Sequence, residues 1–292
     1  MKALIAAIKR HRTGYLFISP FFVLFGAFMV YPLVSSLVLS FYSWGGGSVR
    51  TFVGFANYGR LFRDAIFLKS LANAGVLYLL YVPLMTFLAI VLAVLVNSAW
   101  LKLRSAFRTV IYIPNVVSLV VLGLLFSFVM NRSYGVLNML LSYVGIGKVS
   151  WLGDPLAAKF AVAIMMIWRW LGVNMIYMLA GLQAIPSELY EAASVDGAGA
   201  LGRFFRITIP MLKPVIVFAL ILSTIGTIGM FAEVQQLTDG GPMNSTVTPV
   251  LHLYNTGFRY FKFGYASSMA YVIFIIASAL SIAQLRIARR FG

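Results

Sequence analysis

Cysteine is absent, histidine occurs twice, and seven acidic residues stand against 23 Lys and Arg in a chain of 292 residues. Without cysteine there are no disulfides, thiolate metal sites or thiol nucleophiles. His11 falls in a basic cluster and His252 in a later polar loop, and neither has a second histidine near it, which argues against a metal centre. The few acids are scattered, so no carboxylate pair gathers as a membrane-embedded enzyme would need. A phosphate-binding loop is missing too. Its nearest match, Gly147 and Lys148, is followed by Val149 and lacks both the preceding glycine spacing and the Ser or Thr. Hydrolysis of ATP by this chain is therefore not expected, and neither is a bound cofactor.

What remains is apolar. Hydrophobic residues make up 61% of the chain and charged residues 10%, the composition of an all-α polytopic membrane protein. About 20 residues cross a bilayer as helix, and six runs reach that length, near 15–41, 70–96, 109–130, 160–183, 214–232 and 263–285. In the first, Pro20 and Pro32 start and kink the span, and Trp44 with Gly45, Gly46 and Gly47 marks an interface and a turn. A cleaved signal peptide is the rival reading of the first run, but its apolar core would be shorter and end at small residues. Residues 133–147 are apolar yet short and bounded by glycine, as in an interfacial helix. One transmembrane domain over 13–292 follows a basic segment, 1–12.

The formal charge of +16 does not indicate nucleic acid. The cations sit in short clusters beside the spans, where lipid headgroups attract them. With the N-terminus inside, thirteen connecting Lys and Arg fall on the inner side (Lys2, Lys9, Arg10, Arg12, Lys102, Arg104, Arg108, Arg203, Arg206, Lys213, Arg286, Arg289, Arg290). Eight fall outside (Arg50, Arg60, Arg63, Lys69, Arg132, Lys148, Arg259, Lys262). That bias favours cytoplasmic termini and puts the loop at 184–213 in the cytoplasm.

This loop contains ELYEAASVDGAGALGRFFRITIP at 188–210. Ser187 can cap a short helix whose first turn carries Glu188 and Glu191. Leu189, Ala192 and Ala193 share a face with two very small residues, open to close approach by another protein. Asp196 and Gly197 end the helix, and a second one, near 200–206, leads to Ile207 and Pro210, where the next span begins. Taken alone, this is a solvated helical hairpin. Its spacing, however, resembles the EAA loop of the permease subunits of ABC importers: Glu191, Ala192, Ala193, then Gly197, Ile207 and Pro210, with Ile209 where that family usually has leucine. FVGFANY at 52–58, IPNVVS at 113–118, LGVNMIYMLAGLQAIP at 171–186 and LTDGGP at 237–242 are similar to the carbohydrate branch, the maltose and glycerol-3-phosphate importer subunits. The chain looks like the six-span form, without the extra N-terminal spans and large external insertion of the maltose type.

The resemblance implies a type I importer fold and a division of labour. Two ATP-binding cassette subunits would bind ATP and Mg, and the loop helix would dock into one of them through Leu189, Glu191, Ala192, Ala193 and Gly197. A second, related permease subunit would complete the path, and an extracytoplasmic solute-binding protein would deliver substrate to the loops around Gly240, Gly241 and Pro242. It also implies sugar-contacting positions at Asn115, Trp168, Gly172, Thr227 and Met230, where Met230 replaces an amide side chain.

Polar residues within the spans offer a reading independent of that likeness. Arg169 lies mid-span, at a cost of roughly 2.5–3.5 kcal/mol, and Glu233 is its natural partner. The two either form a structural ion pair or meet substrate. Trp168 and Trp170 flank Arg169 and either stack on sugar rings or fill helix contacts. Asn174, Tyr177, Gln235 and Gln236 are further polar candidates, with helix-to-helix hydrogen bonding as the alternative. An ion-coupled secondary transporter is the rival class, and it would show internal repeats and ion-binding residues within its spans.

Overall fold

The computed structural model describes residues 12–98 and 103–290. The basic cluster Lys2, Lys9, Arg10 and His11, most of the expected segment 1–12, and Lys102 lie outside the described residues. The chain divides into two compact units, Met1–Phe62 with Leu253–Tyr271, and Arg63–His252 with Val272–Gly292.

In the first unit, α1 (Arg12–Phe25) and α2 (Tyr31–Leu39) form one apolar rod through a π-helical turn at Gly26–Val30. Pro20 lies inside α1, so it does not start the span. Pro32 has no N–H to close the ladder, and the chain widens by one residue just before it, with the Tyr31 N–H reaching the Gly26 carbonyl. No residue of this rod is buried within the protein, which suits lipid or a neighbouring subunit. A two-stranded hairpin follows, β1 (Tyr42–Ser43) pairing antiparallel with β2 (Thr51–Phe52), then α3 (Ala56–Leu61). Ser36 and the Leu33 carbonyl bond the Tyr271 hydroxyl at 3.1 and 2.5 Å.

The second unit is built on α4 (Ala65–Asn97) and α8 (Pro155–Gln183), capped by Asp64 and Asp154, whose carboxylates accept two backbone N–H bonds each. Between them run α5 (Arg104–Val116), α6 (Leu119–Val129) and α7 (Val136–Tyr143). Leu77, Tyr81, Met85, Ala89 and Ala93 recur every fourth residue on α4 and are all buried. Leu77, Tyr81 and Met85 join one cluster with Ala161, Val162, Met165 and Met166 of α8, and Ala89 and Ala93 a second with Met175, Met178 and Leu182 of the same helix. Small residues in such rows let membrane helices approach closely. α9 (Ser187–Val195) and α10 (Ala200–Arg203) precede a π-helical turn at Phe204–Thr208 that runs directly into α11 (Ile209–Ile228). Three short or terminal helices remain: α12 (Ala232–Leu237), α13 (Pro249–Tyr254) and α14 (Phe263–Arg290), the last two passing from one unit into the other.

Five helices among the described residues are long and apolar enough to cross a membrane: Arg12–Leu39, Ala65–Asn97, Pro155–Gln183, Ala200–Ile228 and Phe263–Arg290. The run at 109–130, expected as one span, is instead α5 and α6 bent by 96°, and it makes a sixth crossing if the broken pair is counted as one. Val117 and Ser118 are extended there (ψ 134 and 137), and the Ser118 carbonyl begins α6 by accepting the Leu122 N–H at 2.9 Å. The apolar stretch 133–147 holds only the eight-residue α7.

Candidate functional site

A cavity of about 300 Å³ opens inside the second unit. Tyr81 and Met85 of α4 form one wall, and Met166, Trp170, Val173, Asn174 and Tyr177 of α8 another. α11 adds Leu222, Ser223, Ile225 and Gly226, and α12 adds Glu233. The aromatic groups give the flat faces, and the hydroxyls, amide and carboxylate give the donors and acceptors, that a polyhydroxylated ligand needs.

Several wall residues are held from behind. The Thr227 hydroxyl donates to the Ser223 carbonyl at 2.6 Å and meets the Tyr81 hydroxyl at 2.5 Å, fixing the phenol across from α8. The Asn174 amide donates to the Trp170 carbonyl at 3.0 Å. Tyr177 packs edge-on against Phe218 with ring centroids 5.6 Å apart. Arg169 and Glu233 do pair, but only at 3.9 Å, with 12% and 13% of their side chains exposed. The guanidinium also lies 5.4 Å from the Trp170 ring centre. Its Nε and Nη1 are buried with no hydrogen-bond partner, so the long ion pair is electrostatic rather than a fitted fork.

Sorting the expected path residues by position, Asn174 and Glu233 line the cavity, and Thr227 and Arg169 support it from the second layer. Met230 is buried and does not reach the wall. Trp168 is 38% exposed and packs on Phe126 of α6, away from the cavity, so Trp170 is the aromatic that faces in. Asn115 is half-buried at the end of α5, outside the wall. Gly172 acts through its size, since a Cβ there would overlap the Ile111 carbonyl oxygen where α5 crosses α8. Gly172→Ala must push α5 away, and overpacking of this kind costs about 1–3 kcal/mol. We expect a lower thermal midpoint for the detergent-purified protein, against no change for Gly75→Ala, where a Cβ meets open space.

Glu233, expected at the outer end of the fifth run (214–232), is separate from that span. The helix stops at Ile228, the chain turns at Gly229 to Phe231, and Glu233 opens α12. Gly123 of α6 admits α12, because a Cβ there would lie 2.6 Å from the Gln236 Cβ. Behind α12, the LTDGGP loop is packed rather than open. Gly240 is buried, the Thr238 and Thr246 hydroxyls meet at 2.8 Å, and Thr246 donates to the Gly241 carbonyl at 2.8 Å. Met243 and Asn244 form the exposed tip, tied to α4 by Lys69 and Asn73, which donate to their carbonyls at 2.8 and 2.9 Å.

The loop at 184–213 carries a helix as expected, with two corrections. Ser187 is the first helical residue rather than the cap; Pro186 takes the cap position without a side-chain bond. The second helix does not stop short of the span but continues into it, from Ala200 to Ile228. At the other end, Gly197 has φ +76, Gly197 N–H bonds Ser194 and Ala198 N–H bonds Ala193, a Schellman cap. Tyr190, which no sequence pattern marks out, anchors the helix: its ring packs on the cluster of Val96, Leu182, Ile185 and Leu212, and its hydroxyl meets Thr208 at 3.0 Å. Leu189, Glu191, Ala192 and Gly197 are thereby left exposed, Ala193 half-buried, and Leu201 and Phe205 extend the exposed apolar surface. Arg203 donates to the Ser194 hydroxyl at 2.7 Å and braces the two arms.

His252, expected in a loop, is buried in α13 with Nε2 3.2 Å from Asp64 Oδ2, and so serves the start of α4. Among the described residues no three metal-ligating side chains gather.

Apolar spans lining a largely apolar cavity that holds a few polar groups, with an exposed helical knob at the end of one of them, define a membrane transport subunit. The chain belongs to the family described as binding-protein-dependent transport system inner membrane component, whose model matches residues 85–292. It is 43% identical to the lactose transport system permease protein of Rhizobium radiobacter over 97% of each chain. It is 33% identical to the trehalose/maltose transport system permease protein of Thermococcus litoralis, over 96% of this chain and 95% of that one. Among solved structures, a bacterial ABC transporter involved in the import of the acidic polysaccharide alginate superposes with a TM-score of 0.84 at 25% identity, over 99% of each chain.

Proposed function

We propose that this chain is the permease subunit of an ATP-driven importer for a sugar or oligosaccharide, and that the cavity between α4, α8, α11 and α12 is its half of the path. The carrying observation is end-to-end similarity to sugar transport permeases, and the aromatic and polar walls of the cavity agree with it. In this reading the termini and the α9 knob are cytoplasmic, where ATP is available. Two cassette subunits bind ATP and Mg and hydrolyse it, one of them gripping α9 around Glu191. A second permease subunit completes the pore, and a solute-binding protein docks outside, near Met243 and Asn244. ATP-driven closure inside and substrate delivery outside then alternate access to the cavity.

The test is reconstitution of this chain with its neighbouring transport subunits in one membrane. ATP hydrolysis should rise on adding sugar-loaded binding protein and should need every subunit. Hydrolysis by this chain alone, or ion-gradient uptake without ATP, would overturn the proposal. A ligand screen on the binding protein then names the sugar.

A further inference from the structure

A second pocket, of about 220 Å³, lies in the first unit, where the rod ending at Leu39 and the helix beginning at Phe263 come together. Its chemistry differs from that of the transport cavity. Arg60 and Lys262 both line it, with Trp44, Phe261 and Tyr265 as aromatic walls. The whole first unit contains no Asp or Glu. Four of the eight Lys and Arg assigned to the outer side, Arg50, Arg60, Arg259 and Lys262, belong to this unit, and Arg60 and Lys262 line the pocket.

The pocket is built rather than incidental. The Asn57 amide donates to the Ser40 and Tyr42 carbonyls at 2.8 and 3.0 Å and fixes its floor. The Arg60 guanidinium stacks 4.8 Å from the centre of the buried Tyr265 ring, which aims its fork while keeping its charge. Trp44 donates to the Gly47 carbonyl at 2.7 Å and has Arg50 4.6 Å over its ring. Gly264 lies so close to Tyr42 that a Cβ would overlap its carbonyl oxygen, which pins the hairpin to the start of α14.

Two cations lining one pocket, Arg60 held over Tyr265 and Lys262 exposed beside it, suit a phosphate oxyanion. A pocket at the ends of two spans, ringed by Trp and Tyr, sits at headgroup depth. We propose that this pocket binds a phosphate ester, and that its source is the headgroup of an anionic phospholipid, seated at the junction of the first and last spans. Arg60 and Lys262 hold the phosphate, Trp44 and Phe261 flank the glycerol backbone, and the exposed face of α1 and α2 takes the acyl chains.

The experiment is native mass spectrometry of the assembled transporter from nanodiscs of equal phosphatidylglycerol and phosphatidylcholine. Wild-type protein should retain phosphatidylglycerol selectively. Each basic group near a membrane surface contributes about fivefold to binding of anionic lipid, so Arg60→Gln with Lys262→Gln should lower the preference about thirtyfold. Arg60→Lys with Lys262→Arg keeps both charges and should keep most of the preference, which separates lost binding from lost folding. Unchanged retention in the Gln variant overturns the site. Displacement of the lipid by millimolar inorganic phosphate overturns the lipid as its source and assigns the cradle to a soluble anion.

Discussion

Glu191→Lys is expected to abolish uptake while the protein still inserts and purifies as wild type does. Glu191 is exposed on α9, and the helix is anchored by its neighbour Tyr190, about 100° round the axis, so the substitution leaves the internal packing intact. Its effect falls on the proposed docking contact. Removing one partner of a charge pair buried at an interface costs at least about thirtyfold in affinity, and reversing the sign costs more. The measurement is co-purification of the cassette subunits with nucleotide trapped, beside sugar uptake in vesicles. Normal uptake would remove α9 from the coupling. An equal loss with Glu188→Lys, one turn earlier, would indicate bulk charge rather than a specific contact.

Arg169→Ala has the second large effect. It strands Glu233 in a cavity wall with 13% of its side chain exposed, and breaking a buried pair in this way costs about 3–5 kcal/mol. Loss of folded protein or of transport is expected, and Arg169→Glu with Glu233→Arg should restore part of it. Because the two charges are 3.9 Å apart and two guanidinium nitrogens are unsatisfied, the swap needs no tight geometry to work. If the exchanged pair restores stability but not uptake, one of the native charges contacts substrate. If it restores neither, the pairing is not what holds α12 to α8.

The spans were readable because a bilayer demands about 20 apolar residues in succession and little else does. The bend between α5 and α6 was not, since Val117 and Ser118 are as apolar or small as their neighbours and the nearby Pro114 sits inside α5 rather than at the break. Arg169 with Glu233 could be foreseen because isolated charges in a span must be compensated, which leaves few possible partners. Tyr81 could not be foreseen. A tyrosine in an apolar helix looks the same whether it fills a contact or faces a cavity, and its partner Thr227 is 146 residues away. His252 illustrates the same limit. Its neighbour Asp64 is 188 residues distant, and only the fold brings them together. The α9 helix was legible in extent, but not its orientation, which depends on Tyr190 finding Thr208.

One feature of the fifth span sets how force would travel. From Ala200 to Ile228 the backbone is helical without interruption, and at about 1.5 Å per residue such a rod is roughly 40 Å long. If α9 is the docking knob proposed above, a push passed on to Ala200 would arrive at Ser223 and Gly226 as a stroke, with no loop between those points. Beyond Ile228 the chain turns, and Glu233 is tied instead to α6, through Gln236 against Gly123, and to α8, through Arg169. The two sides of the cavity would then be geared differently: one on the lever, the other on the frame.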